Sequence, residues 1–113
     1  MTGHLAALLF WILASVPSQG HNVRAVEVAH AVVHNFPVEA QQAMVCNAFH
    51  ESTFNPLAEG KAGERGVLQI SRIHFGRFDP ERLWEVDYNI RAARQLYDES
   101  GLWPWLAQKG RCW

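Results

Sequence analysis

The chain has 113 residues, a formal net charge of -1 and 49 % hydrophobic residues, which is enough for one folded domain and is not the composition of a disordered chain. Lys and Arg are scattered, with no basic block, so a nucleic-acid partner is not expected. An excess of positive charge, which would suit an anionic polymer substrate, is also missing, so charge says nothing about the substrate.

The first element is apolar. Leu5 to Val16 is a hydrophobic run broken only by Ser15. It is too short to span a bilayer comfortably, which takes about 20 residues. Val16-Pro17-Ser18-Gln19-Gly20 follows, a helix breaker and then small residues, in the layout of a signal peptide cleaved before His21. The amino-terminal side carries no Lys or Arg, so two other readings stay open: a weak, uncleaved anchor that touches the membrane, or a buried core helix. Residues 1–20 are therefore expected to be a signal or anchor, and 21–113 the working domain.

Helical spacing begins next. Asn22 is a candidate cap for a helix running to about Phe36, with Val23, Val26, Ala29 or His30, and Val33 as its buried stripe. Pro37 ends that helix and can open another. The second is expected from about Val38 to Glu51, with apolar residues on two faces (Ala40, Ala43, Met44, Ala48 and Val45, Phe49), as in a central, well-buried helix. Asn55 to Gly66 holds Pro56, Gly60, Gly63 and Gly66 and reads as a loop with room for a small β-hairpin. Val67 to Ser71 fits a strand or the start of a helix equally well. Asp79-Pro80-Glu81-Arg82 has the form of a helix start, Asp as cap and Pro in the first turn. Asp87 is a candidate cap for a helix of about Tyr88 to Glu99, with Ile90, Ala93, Leu96 and Tyr97 inward and Gly101 ending it. The tail holds Trp103, Trp105 and Trp113. The expected fold class is mainly α with one loop-rich insertion.

The chain has two cysteines, Cys46 and Cys112. A bridge between them would tie the tail to the central helix and close a long loop, a contribution of about 4 kcal/mol in the chain-entropy model, in a domain small enough to need it. Two free buried thiols are the alternative for a reducing compartment.

Glu51 stands at the end of the second predicted helix between Phe49 and Phe54. The negative end of the helix dipole and apolar neighbours both disfavour a carboxylate, which is what a general acid at neutral pH requires. Alone this is weak, because a Glu at a helix end is usually plain surface. Its context is more specific. Glu51-Ser52-Thr53-Phe54-Asn55-Pro56-Leu57-Ala58, followed by Gly63-Glu64-Arg65-Gly66-Val67-Leu68-Gln69-Ile70, resembles the soluble lytic transglycosylases and goose-type lysozymes, with their Glu-Ser-x-x-Asn-Pro-x-Ala element and later Gly-Leu-Met-Gln. Asp79-Pro80 with Asn89-Ile90-Arg91-Ala92-Ala93 is similar to a third family element. The ending from Leu96-Tyr97 through Ser100-Gly101-Leu102-Trp103-Pro104-Trp105 to Cys112 is similar to compact phage and actinobacterial wall lysins. The resemblance runs from about Pro37 to Cys112.

That resemblance implies a lysozyme-like fold and cleavage of the β-1,4 bond between N-acetylmuramic acid and N-acetylglucosamine in peptidoglycan strands, without a cofactor, by a monomer. It implies Glu51 as catalytic acid/base, Ser52 as the residue supporting it and Gln69 as a site-lining residue. The family's Ala-Tyr-Asn-x-Gly element is absent as such, leaving Tyr88, Tyr97 and Trp103 as candidates to replace its Tyr. Trp103 and Trp105 are also candidates for a sugar platform, although tail tryptophans more often seal a core.

Other chemistries are weaker. His30 and His34 have the spacing of a two-His metal site but no third ligand in the motif. His50-Glu51 opens like His-Glu-x-x-His, but Phe54 takes the second His position. No metal is therefore expected. A non-catalytic wall-binding module on the same fold is a further alternative. Glycosidases with two carboxylates need a second acid. Glu59 and Glu64 are placed for it but lie outside the motif, and Asp79 and Asp87 read as caps. One confident carboxylate favours transglycosylation over hydrolysis.

Overall fold

The structure is a computed structural model that describes residues 19–113, with side chains from Arg24 onward. The Leu5 to Val16 run, and the signal or anchor reading built on it, lie outside the described residues. Three α-helices carry the fold: α1 (Gln19–Asn35), α2 (Val38–Ser52) and α3 (Val86–Ser100). Short 3-10 turns lie at Arg72–His74 and Arg82–Trp84, and a longer one at Trp103–Gln108. Among the described residues there is no strand; the predicted hairpin is two isolated bridges, Glu59 to Arg65 and Arg65 to Ile70. No helix among them is long and apolar enough to cross a membrane.

α1 packs against both α2 and α3. Its buried stripe is Ala25, Val28, Ala29, Val32 and then Phe36, rotated by about one residue from the predicted stripe of Val23, Val26, Ala29 and Val33. Val26 is 37 % exposed and His30 is exposed. Both stripes obey the helical period, so periodicity alone does not separate them. The small Ala25 and Ala29 face inward, where α1 meets its neighbours. Asn22 lies inside α1 and does not cap it.

Pro37 separates α1 from α2 as expected: it is the N-cap residue of α2, with extended backbone. α2 buries Ala40, Met44, Val45 and Ala48. It ends in two successive left-handed residues, Thr53 (φ 50) and Phe54 (φ 61). A β-branched or bulky residue in that region is an outlier. The distortion is held by burial, since Phe54 is fully buried with its ring 5.5 Å from that of Phe49.

Two predicted helix starts are corrected. The Asp79-Pro80 signal produces only the 3-10 turn Arg82–Trp84; Asp79 accepts from the amide of Glu81 at 3.0 Å and shapes the turn. α3 starts at Val86 with Glu85 at the N-cap, so Asp87 is not the cap. Asp87 instead pairs with Arg91 at 3.0 Å.

The loop from Thr53 to Glu85 is fastened by Asn89, a fully buried side chain of α3. Its Oδ1 accepts from the Leu68 amide at 3.0 Å, and its Nδ2 donates to the carbonyls of Arg65 (2.9 Å) and Leu83 (3.0 Å). Gly66 is required here: φ is +82°, and a Cβ at this position would lie 2.2 Å from Asn89 Nδ2 and 2.4 Å from the Leu83 carbonyl. Val67 to Ser71 is neither strand nor helix. It turns back at Gln69 (φ 49), and Ile70 exchanges backbone hydrogen bonds with Arg65 at 2.9 and 3.1 Å.

Candidate active site

Glu51 occupies the last turn of α2, half-buried. Burial raises its pKa above the ordinary glutamate value, a hydrogen bond from Gln108 works the other way, and the negative charge of Glu64 adds to the rise. Gln108 Nε2 donates to Glu51 Oε2 at 3.1 Å. The site thus holds a carboxyl that retains its proton more readily than a free one and has a fixed hydrogen-bond partner. A raised pKa and a fixed partner are compatible with a general acid.

Ser52, next to it, is buried and joins helix to loop. Its Oγ lies 3.0 Å from the Ala48 carbonyl and 2.9 Å from that of Val67. A hydroxyl has one proton, so it donates to one of these at a time, and the Val67 contact ties the end of α2 to the loop. Gln69 Nε2 donates to the carbonyls of Ala58 and Gly66, both at 3.0 Å. Its amide therefore braces the glycine-rich loop from inside.

The three aromatic candidates are dispersed, and no hydrogen bond links any of them to Glu51. Tyr88 accepts from the Asp79 amide through its hydroxyl at 2.8 Å, and the guanidiniums of Arg82 and Arg91 lie over its ring. Tyr97 packs edge-on against Phe36 with ring centroids 5.5 Å apart. Trp103 is 61 % exposed. It joins Gln69 at an open cavity of about 340 Å³ lined by Leu68, Ile70, Leu96 and Trp105, with Ile73 and His74 among its other residues. Trp105 is core: it is 2 % exposed and its indole N–H donates to the Leu68 carbonyl at 3.0 Å.

Cys46 and Cys112 form a disulfide, with Cα atoms 5.5 Å apart. Among the described residues, Cys46, His50 and Cys112 bring three ligand-type atoms within 4.8 Å of one another, but the bridge takes both sulfurs out of use as thiolate ligands. His50 Nδ1 faces Arg111 Nη1 at 3.3 Å; burial, and then the Arg111 charge, lower its pKa. His30 and His34 are exposed beside an open hollow that Glu27 and Asp87 also line.

Of the acids weighed as a second carboxylate, Glu64 is the one whose charge acts on Glu51. It is partly buried and accepts from the Ala62 amide at 2.9 Å, whereas Glu59 is exposed. Sequence reasoning missed Gln108. The signal was available: Gln108 lies just before Cys112, and pairing Cys112 with Cys46 brings this stretch against the helix that bears Glu51. Compared with known proteins, the chain matches no family model, no curated protein and no solved structure.

Proposed function

We propose that this chain is a peptidoglycan-cleaving glycosidase of the lysozyme-like, lytic-transglycosylase class, acting outside the cytoplasm as a monomer with Glu51 as its acid/base. The observation that carries this reading is the state of Glu51: a half-buried carboxyl whose pKa is raised by burial, held by Gln108, at the end of a helix followed by two left-handed residues. Backbone strain of this kind clusters at functional sites. The Glu-Ser and Gly-Val-Leu-Gln elements behind the family resemblance meet through Ser52 and Val67. The disulfide is compatible with export.

In this reading, protonated Glu51 delivers its proton to the bridging oxygen between N-acetylmuramic acid and N-acetylglucosamine as the C1–O bond breaks. The resulting carboxylate takes the proton of the muramic 6-hydroxyl. That oxygen bonds to C1 and closes a 1,6-anhydro ring, so Glu51 is restored and neither water nor a protein nucleophile is consumed. In this reading Trp103 and Gln69, which line an open cavity that Glu51 does not line, receive a sugar of the strand beyond the bond that is cut. Digestion of purified wall followed by mass analysis of the muropeptides tests this: anhydro ends, lighter by one water, are expected. A wall that is bound but uncut would instead make the chain a binding module.

The charge of Glu64 on Glu51 favours a second reading, hydrolysis with Glu64 as the other carboxylate. Reducing ends throughout the digest, together with loss of cleavage in Glu64→Gln, would select it.

A further inference from the structure

The side-chain partner of Glu51 comes from the far end of the chain. Gln108 is 7 % exposed, and its Nε2 donates to Glu51 Oε2 at 3.1 Å. The tail is fixed on both sides of it. Upstream, Trp105 is anchored to the Leu68 carbonyl. Downstream, the Gln108 carbonyl accepts from the amides of Arg111 (3.0 Å) and Cys112 (2.9 Å), and Cys112 is bridged to Cys46 on α2, the helix of Glu51. The remaining amide atom, Oε1, is buried with no hydrogen-bond partner.

A primary amide is a donor at one end and an acceptor at the other, whereas an ionised carboxylate only accepts and a protonated carboxyl can donate. Nε2 facing Glu51 suits the carboxylate. We propose that Gln108 is the positioning residue for Glu51, its Nε2 holding the carboxylate in one orientation. This rests on Glu51 being the acid/base. The other charged group acting on Glu51 is Glu64, from the loop; His50, adjacent on α2, faces Arg111 of the tail.

Two variants test it. Gln108→Met keeps length and removes the amide; Gln108→Glu keeps shape and replaces the donor with a second carboxyl. The readout is the titration of the Glu51 side-chain carboxyl carbon, followed by NMR on the folded full chain without substrate. In Gln108→Met the Glu51 pKa is expected to move up, because a hydrogen bond favouring the carboxylate is gone; in Gln108→Glu the two carboxyls share one site and titrate as a pair, one apparent pKa lying above that of Glu51 in the wild type. On wall substrate, kcat is expected to fall about tenfold or more with KM within about twofold, as for an interaction that acts on the chemical step. An unmoved Glu51 titration in either folded variant overturns the proposal, and so does an unchanged kcat. If Gln108→Met does not fold, Gln108→Asn, which keeps an amide but withdraws it from Glu51, decides on the same titration and kcat. The titration needs no turnover, so a wild-type chain that leaves wall intact would end the acid/base reading of Glu51 while the titration alone still decides whether Gln108 holds it.

Discussion

α1 with its partners and the Glu51 end of the molecule are built in different ways. α1 meets α2 and α3 mainly through apolar surface, with Val28 and Val32 fully buried, and one polar joint where the Arg94 guanidinium donates to the Asn35 carbonyl. At the other end the chain is irregular and the joints are polar and long-range: Ser52 to Val67, Asn89 to three backbone groups, Trp105 to Leu68, Gln108 to Glu51, and one disulfide. Apolar packing tolerates replacement by side chains of similar volume. A polar joint does not, because a displaced partner leaves a buried donor or acceptor unpaired. The scaffold is therefore the robust region and the site the exacting one.

The largest effect expected from separating them is in Glu51→Gln. The amide keeps the shape of the side chain and can still face Gln108, so both regions stay folded, while proton delivery is lost. Cleavage should drop by about 10²-fold or more. Release of muropeptides from purified wall, alongside a circular dichroism check of the fold, measures it, and near-normal release from a folded variant ends the functional reading.

Replacing Cys46 and Cys112 by serine should act on the exacting region first. The bridge spans a sequence separation of 66, for which the chain-entropy model gives a loss of about 4 kcal/mol. Hydrogen exchange should rise earliest in the tail around Gln108. In the wild-type chain, alkylation without prior reduction should label neither cysteine; two labelled cysteines refute the bridge.

Asn89→Ala attacks the seam between the two regions. It leaves the Leu68 amide and the Arg65 and Leu83 carbonyls without their side-chain partner. The Arg65 carbonyl keeps its bond from the Ile70 amide; the Leu68 amide and the Leu83 carbonyl, left buried, cost about 1–3 kcal/mol each, reduced where water enters the space, so a net loss of about 3 kcal/mol is expected in urea unfolding. Asn89→Asp keeps the acceptor for the Leu68 amide but sets a buried carboxylate against the Arg65 and Leu83 carbonyls, so at neutral pH it should destabilise at least as much as Asn89→Ala, and less as pH falls and the carboxyl protonates.

The same contrast explains what could be read in advance. The helices were legible because period and punctuation are local: Pro37 and Gly101 stop and start elements where expected. The turn of α1 about its axis was not, because Val26 and Val28 are equivalent until α2 and α3 are in place. Asp87 was misplaced because a capping residue is recognised by type, and the chain enters α3 earlier, at Val86. Glu51 and Ser52 were singled out by motif. Gln108 was not, because its partnership spans 57 residues and only the disulfide announces it. Neither local pattern nor resemblance selects among Tyr88, Tyr97 and Trp103; the structure gives the first two structural partners and leaves Trp103 open to solvent.

The smallest effect concerns stability and pH, and it bears on whether the site is held at a cost to the fold. The Glu51 pKa is raised in the native state, chiefly by burial. The native chain then binds this proton more tightly than the unfolded chain does. Its contribution to stability is fully present below the unfolded value and is lost as pH rises through the native one. Glu51→Gln has no such proton to lose, so relative to wild type it should gain stability as pH rises from about 4 to about 7. Other titrating groups are shared by the two proteins and largely cancel in the difference, apart from Glu64, which acts on Glu51 directly. Thermal unfolding of both proteins across that range reads the difference. A melting temperature of Glu51→Gln minus that of wild type that rises towards neutral pH means that the scaffold carries a strained acid. A difference that is flat would show burial and the Gln108 hydrogen bond in balance, and one that falls would show the hydrogen bond outweighing burial.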